Sequence, residues 1–169
     1  QLGSLPGIGK RTALRLTLHL LKKNEIELMD FTQAITDLKN KLFSCSSCGN
    51  IADEQICSIC INPNRDHHTI CVVEDIRDVM AIESTSAYKG IYHVLDGLIS
   101  PLDGVGPQDL NIQSLIDKIA REKITEIIFA LSPTMEGDTT NFYLFKKLQP
   151  YSPYITTLSR GVAVGSELQ

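Results

Sequence analysis

The sequence predicts an α+β chain built in parts: a basic helical N-terminal part, a small four-cysteine motif, and an α/β part with a mostly parallel sheet. Three observations predict it. Apolar residues recur at helical spacing up to residue 42. Two C-x-x-C pairs, Cys45/Cys48 and Cys57/Cys60, follow with eight residues between them. From residue 69, short β-branched runs alternate with helical patterns, as in strands joined by helical crossovers.

Composition narrows the class. A hydrophobic content of 43% in 169 residues suits a folded chain of one domain or two small ones. No apolar run reaches the ~18 residues of a membrane span, and no charged-then-apolar leader is present. The expected compartment is therefore cytoplasmic, without membrane association, and the thiols are expected free or metal-bound. Five cysteines, an odd count, also argue against a pure disulfide framework. The start at Gln1 and the abrupt stop after Glu167-Leu-Gln169 read as a piece of a longer chain. Residues 1–48 hold seven Lys/Arg against four Asp/Glu, and the remainder nine against sixteen. An anionic partner such as DNA would prefer the N-terminal part, although charge varies along any chain.

Residues 5–21 open on a Pro6-Gly7-Ile8-Gly9 turn, where two glycines permit positive φ and close backbone approach. A helix follows. Leu14, Leu18 and Leu21 are expected on its buried face, with Ala13, Leu16 and Leu20 beside them. Arg11, Arg15, His19 and Lys22 form a narrow basic stripe. Backbone N–H groups at the turn and helix start, with Lys10, Arg11 and Arg15, suit phosphate binding without sequence specificity. The competing reading is a glycine turn entering an ordinary surface helix. A nucleotide P-loop is excluded, because Ser4 and Arg11 stand where Gly and Ser/Thr are required. The stretch resembles the second half of a helix-hairpin-helix DNA-binding motif, whose first helix would precede residue 2.

A second helix is expected over residues 25–42, with Leu28, Phe31, Ile35, Leu38 and Leu42 on one buried face packed against the first helix. Lys39 and Lys41 suit its C-terminal end. Cys45, Cys48, Cys57 and Cys60 then supply four thiolates in two turns, enough to close a tetrahedral site. Closure favours structural zinc, with no open position for a substrate water; two disulfides, an iron–sulfur cluster or metal-free thiols are the alternatives. His67 and His68 are near enough to substitute as ligands, but solvation suits them better. Cys71 reads as a small buried hydrophobe.

The strand–helix region has expected strands at 69–73, 91–95, 126–131 and 154–158, and helices at 76–86, 112–123 and up to about 148. In such sheets ligands sit beyond the strand C-terminal ends. Glu74, Asp75, Asp96, Glu136 and Asp138 all follow strands there and could hold Mg²⁺ for phosphoryl transfer. Helix capping is the expected role of Asp75 and Asp138. Glu74 and Glu136 stay open.

The order of these motifs, with Val72-Val-Glu74, Ser100-Pro-Leu-Asp-Gly-Val-Gly-Pro107 and Pro133-Thr-Met-Glu-Gly-Asp138, resembles the RecR family of bacterial recombination mediators over nearly the whole chain. The resemblance implies a helix-hairpin-helix region at 1–43, a four-cysteine zinc motif at 44–66, a Toprim domain at 67–158 and a glycine-rich oligomerisation segment starting at 159–169. It implies a DNA-repair role with RecO and RecF at single-strand gaps, where RecA is loaded, and a dimer or tetramer ring. The DNA would be gapped, single- or double-stranded, contacted through Gly7, Gly9, Lys10, Arg11 and Arg15. The catalytic Toprim pattern has a Glu after the first strand and D-x-D after a later one. Glu74 matches the first, but Ser132 and Thr134 replace both aspartates, and neutral hydroxyls suit Mg²⁺ poorly. The expectation is loss of catalysis, with Glu74 and Glu136 facing a protein partner. The alternative is a Mg²⁺-dependent Toprim nuclease or topoisomerase-like enzyme. At the C-terminal end, Gly161–Leu168 matches the family's usual pattern, with Ala163 and Ser166 departing from it.

Overall fold

A computed structural model describes residues 1–151 and 153–159. The glycine-rich Gly161–Leu168 stretch lies outside the described residues. The chain divides into two compact units, Gln1–Leu42 and Phe43–Gln169. Among the described residues no helix is long and apolar enough to cross a membrane.

The first unit is helical. A short 3₁₀ turn, Leu2–Ser4, leads into a tight turn closed by the Ile8 N–H donating to the Leu5 carbonyl at 3.1 Å. Gly7 has φ 77°, the left-handed region that a side chain disfavours. Helix α1 runs Lys10–Leu20 and helix α2 Glu25–Asn40. α2 begins at a capping box: Asn24 accepts the Glu27 N–H at 2.9 Å, and the Glu27 carboxylate accepts the Asn24 N–H at 3.4 Å. Asn24-x-x-Glu27 is a capping signal that the reading of residues 25–42 by apolar spacing passed over. At the other end Lys41 pairs with Asp37 at 2.7 Å.

The expected burial of the two leucine faces is overturned. Leu14, Leu18 and Leu21 are 62%, 52% and 75% exposed, and Leu28, Phe31, Ile35, Leu38 and Leu42 are exposed as well. The half-buried apolar residues of α1 are Ala13, Leu16 and Leu20, beside the expected stripe. Leu16 and Leu20 line one groove with Leu2 and Phe31. Periodicity identifies an apolar face, but burial needs an opposing surface, and this unit covers only the flank of that face.

The second unit opens with strands β1, Phe43–Ser44, and β2, Ile51–Ala52, an antiparallel hairpin that carries the first cysteine pair in its turn. Helix α3, Ser58–Ile61, carries the last cysteine. The sheet proper contains β3 (Asp66–Val73), β4 (Gly90–Val94), β5 (Glu126–Ala130) and β6 (Tyr154–Thr157). All adjacent pairs are parallel, in the order β4-β3-β5-β6. The crossovers are α4 (Ile76–Ser84), α5 (Ile112–Arg121) and α6 (Met135–Leu148).

Both sheet faces are covered, which is why the central strands read as continuous apolar runs. Ile70, Val72, Ile91, Ile127 and Phe129 pack with Leu115 and Ile119 of α5 and Leu144 and Leu148 of α6. Cys71, Val73, Tyr92 and Val94 pack with Val79 of α4 on the opposite face, so Cys71 is the buried hydrophobe its sequence setting indicated. Burial pushes its thiol up to about 12. Ile59 of α3 touches both this second cluster and the cysteines, joining the hairpin motif to the sheet.

Candidate functional site

The second unit brings the four cysteines together. Their sulfur atoms all lie within 4.8 Å of one another, and Cys48 Sγ is 3.6 Å from Cys57 Sγ. Tetrahedral zinc with Zn–S of about 2.3 Å sets sulfurs about 3.8 Å apart, so the donor set fits. The local backbone explains the convergence. The Gly49 N–H donates to the Cys45 carbonyl at 2.9 Å, and Gly49 sits at φ 76°, the tight turn that folds Cys48 back beside Cys45. The Cys57 N–H donates to Cys45 Sγ at 3.2 Å, a bond that draws the second cysteine pair onto the first. Contacts with Cys57, then with Cys60, together with burial hold the Cys48 thiol above its ordinary value. The Cys48 contact holds Cys57 below its own. Such a group keeps its protons in part until a cation takes their place. Cys45, Cys48 and Cys57 are buried, and Cys60 is half-buried. The histidines are engaged elsewhere: His67 Nε2 contacts the Asn62 carbonyl at 3.0 Å and His68 Nδ1 the Lys123 carbonyl at 2.6 Å.

The motif is pinned to the sheet. The Val94 N–H at the end of β4 donates to the Cys48 carbonyl at 2.8 Å. A Cβ on Gly49 would meet Asn111 Nδ2 at 2.8 Å and the Val94 carbonyl at 3.0 Å. Lys118 of α5 donates to Ser47 Oγ, between the first two cysteines, at 3.0 Å. Sequence reasoning passed over Ser47 and Lys118, because nothing in the local pattern places α5 beside residue 47.

The acidic strand ends form a different site. The sheet order places the topological switch between β3 and β5, and Glu74 and Ser132 follow those two strands. Ser132 donates its hydroxyl to Glu74 Oε2 at 2.5 Å. Thr134 is the N-cap of α6, its hydroxyl accepting the Gly137 N–H at 3.2 Å. The two hydroxyls at the D-x-D positions are therefore a carboxylate partner and a helix cap. Asp75 caps α4 as expected, in a box with Asp78, and pairs with Arg77. For Asp138 the capping expectation is corrected: it lies in the first turn of α6, one turn past the cap, because Thr134 is the first residue able to accept from the free helix N–H groups. Glu136 shares that turn and is half-buried. Asp96 is exposed with φ 64°, and the Gly97 N–H donates to the Glu74 carbonyl at 3.1 Å. Among the described residues, the acids do not form a group of three or more poised to share a cation, as the cysteines do.

In the first unit, α1 starts without a side-chain cap, its N-cap being Gly9, and without an acid in its first turn. Lys10 and Arg11 occupy that turn instead, an arrangement that opposes the helix dipole unless an anion is bound. Among the described residues Lys10, Arg11 and Arg15 have no acidic partner. No atom lies within 4 Å of a Cβ placed on Gly7 or Gly9, so the turn is open to a close approach. Arg11, Arg15, His19 and Lys22 share one exposed groove with Leu14 and Leu18.

Comparison with known proteins matches these parts in order. The family described as RecR, helix-hairpin-helix, matches residues 1–39, and the Toprim domain family matches residues 68–157. The Recombination protein RecR of Flavobacterium johnsoniae is 56% identical over 169 residues, all of this chain and 82% of that protein. That of Porphyromonas gingivalis strain W83 is 53% identical with the same coverage, and that of Amoebophilus asiaticus is 53% identical with 84% of its length covered. With a basic helical unit, a four-thiol centre able to take a metal ion and a parallel Toprim sheet in this order, the chain belongs to the RecR family of recombination proteins.

Proposed function

We propose that the protein is a DNA-binding mediator of recombinational repair with no catalytic step of its own. In this reading it works with RecO and RecF at single-strand gaps, as a homo-oligomer, to promote RecA loading. The observation that carries the DNA-binding part is the start of α1: uncapped N–H groups, a bare Gly7–Gly9 turn, and Lys10, Arg11 and Arg15 without acidic partners. That combination suits phosphates of any sequence. Removing both arginines by Arg11→Ala and Arg15→Ala is expected to weaken binding to gapped DNA on all sequences. The slope of log affinity against log salt should drop by about two. Unchanged affinity and slope would remove α1 from the interface.

The non-enzymatic part is supported by the use of Ser132 and Thr134 as hydrogen-bonding groups where a Toprim enzyme needs acids. Glu74 and Glu136 are then available to a basic protein partner. Mg²⁺-dependent DNA cleavage by pure protein, abolished by Glu74→Ala, would overturn this part. The four cysteines, Cys45, Cys48, Cys57 and Cys60, serve in this reading as a structural zinc centre. Zinc at one equivalent per chain is the expected metal content.

A further inference from the structure

Lys118 is the one group near the cysteine centre whose chemistry the preceding account leaves unexplained. It is 5% exposed and sits on α5 between the core residues Leu115 and Ile119. Lysines this buried are almost always paired with an anion, because a bare ammonium is costly to remove from water. Among the described residues Lys118 has no carboxylate partner. Its hydrogen bond goes to the neutral Ser47 hydroxyl at 3.0 Å. Ser47 is flanked along the chain by Ser46 and Cys48, within the turn that carries Cys45 and Cys48. That turn is held rigidly against the end of β4 and Asn111 by the Val94 bond and the close approach of Gly49. Ser47 thus seats the Lys118 ammonium beside the turn that carries two of the four cysteines. Four thiolates around one divalent cation leave two negative charges uncompensated in a mostly buried site.

We propose that Lys118 is the charge-balancing residue of the four-cysteine centre: its buried ammonium, positioned by Ser47, offsets part of the excess negative charge of a zinc-bound tetrathiolate and so sets how tightly zinc is held. It is a positioning and electrostatic residue, not a ligand. The inference rests on the zinc reading above.

The test is zinc affinity of the full chain by chelator competition. Lys118→Gln keeps a donor for Ser47 but removes the charge, and its zinc affinity is expected to fall by about tenfold. Lys118→Arg, which keeps the charge, should stay within about threefold of the parent. Where the Gln variant does not fold, Lys118→Met replaces it, matching the buried stem without a polar head. A structural role is separated by a second substitution, Cys60→His, which exchanges one thiolate for a neutral imidazole and lowers the excess charge. In that background the Lys118→Gln penalty is expected to shrink to less than about threefold; equal penalties in both backgrounds would assign Lys118 to packing and overturn the proposal. Parental affinity in the Gln variant would also overturn it. A parent chain that binds no zinc would instead sink the zinc reading itself.

Discussion

The two units treat the same kinds of residue in opposite ways. Leu18 on α1 and Leu115 on α5 both belong to apolar faces at helical spacing, yet the first is 52% exposed and the second fully buried. Gly9 and Gly137 both stand near the start of a helix. A Cβ at Gly9 meets nothing within 4 Å, whereas one at Gly137 would lie 1.9 Å from the Ser132 carbonyl oxygen. The second unit makes its own opposing surfaces, because a parallel sheet offers two apolar faces to its crossover helices. The first unit has two helices and no sheet, so its apolar and cationic groups face outward. Tight packing in one unit marks what folding requires. Open glycines and cations without acidic partners in the other are what the proposed phosphate contact would use.

Metal removal should sharpen the contrast most. The β1–β2 hairpin and α3 have little apolar core besides the cysteines, and structural zinc contributes on the order of 10 kcal/mol in small motifs. A chelator is therefore expected to abolish amide protection over residues 43–61 while leaving the helicity of α1 and α2 intact. Equal protection with and without verified metal would show that the thiols order this segment alone. Next in size is Gly137→Ala, where backbone must move; it is expected to cost more than about 3 kcal/mol or prevent folding. Gly9→Ala should change stability by less than about 0.5 kcal/mol and show its effect in DNA affinity instead. The leucine pair follows: Leu115→Ala should cost about 3 kcal/mol, against under about 0.5 kcal/mol for Leu18→Ala, both read from chemical denaturation. A large Leu18 effect would mean that the α1 face is covered in solution, for instance by another copy.

An effect comparable to the Leu115 change concerns acid. Burial lowers the His93 imidazole from 6.5 to about 4, because the ring is fully enclosed. The unfolded chain takes up a proton below 6.5 and the folded chain does not until about 4. Stability is thus undiminished above that window, declines as pH falls through it, and levels off below, a loss of roughly 3 kcal/mol. Glu83, held low chiefly by its hydrogen bonds to Arg65, also loses stabilisation as pH falls through its folded value, so the variant His93→Gln is needed to isolate the histidine. If its pH slope matches the parent's, the histidine is not the source.

Much of the second unit was legible in the chain. Expected strands at 69–73, 91–95, 126–131 and 154–158 stand within a few residues of β3 to β6, because runs such as Thr69–Val73 are apolar on both sides and bounded by polar turns. The doubled C-x-x-C spacing pointed to the thiol cluster because both pairs are closed by local turns. Three features were not legible. The exposure of Leu14, Leu18 and Leu21 depends on which surfaces the helices meet, and periodicity is silent about that. Thr134 rather than Asp138 caps α6 because the chain turns earlier than the acids suggest. The bond between Ser132 and Glu74 joins residues 58 apart in sequence, across neighbouring strands.

The sequence alone determined the order of parts, the four thiols and the basic residues at the start of α1, since each follows from local spacing and local chemistry. Only the tertiary structure decided that the thiol turn is seated on β4 and Asn111, that Lys118 reaches Ser47, and that Glu74 is answered by a hydroxyl. The reason is physical: chain order sets which groups exist and how neighbours bond, but partners of buried charge are chosen by sheet order and helix docking, which bring together residues such as Ser47 and Lys118, 71 positions apart.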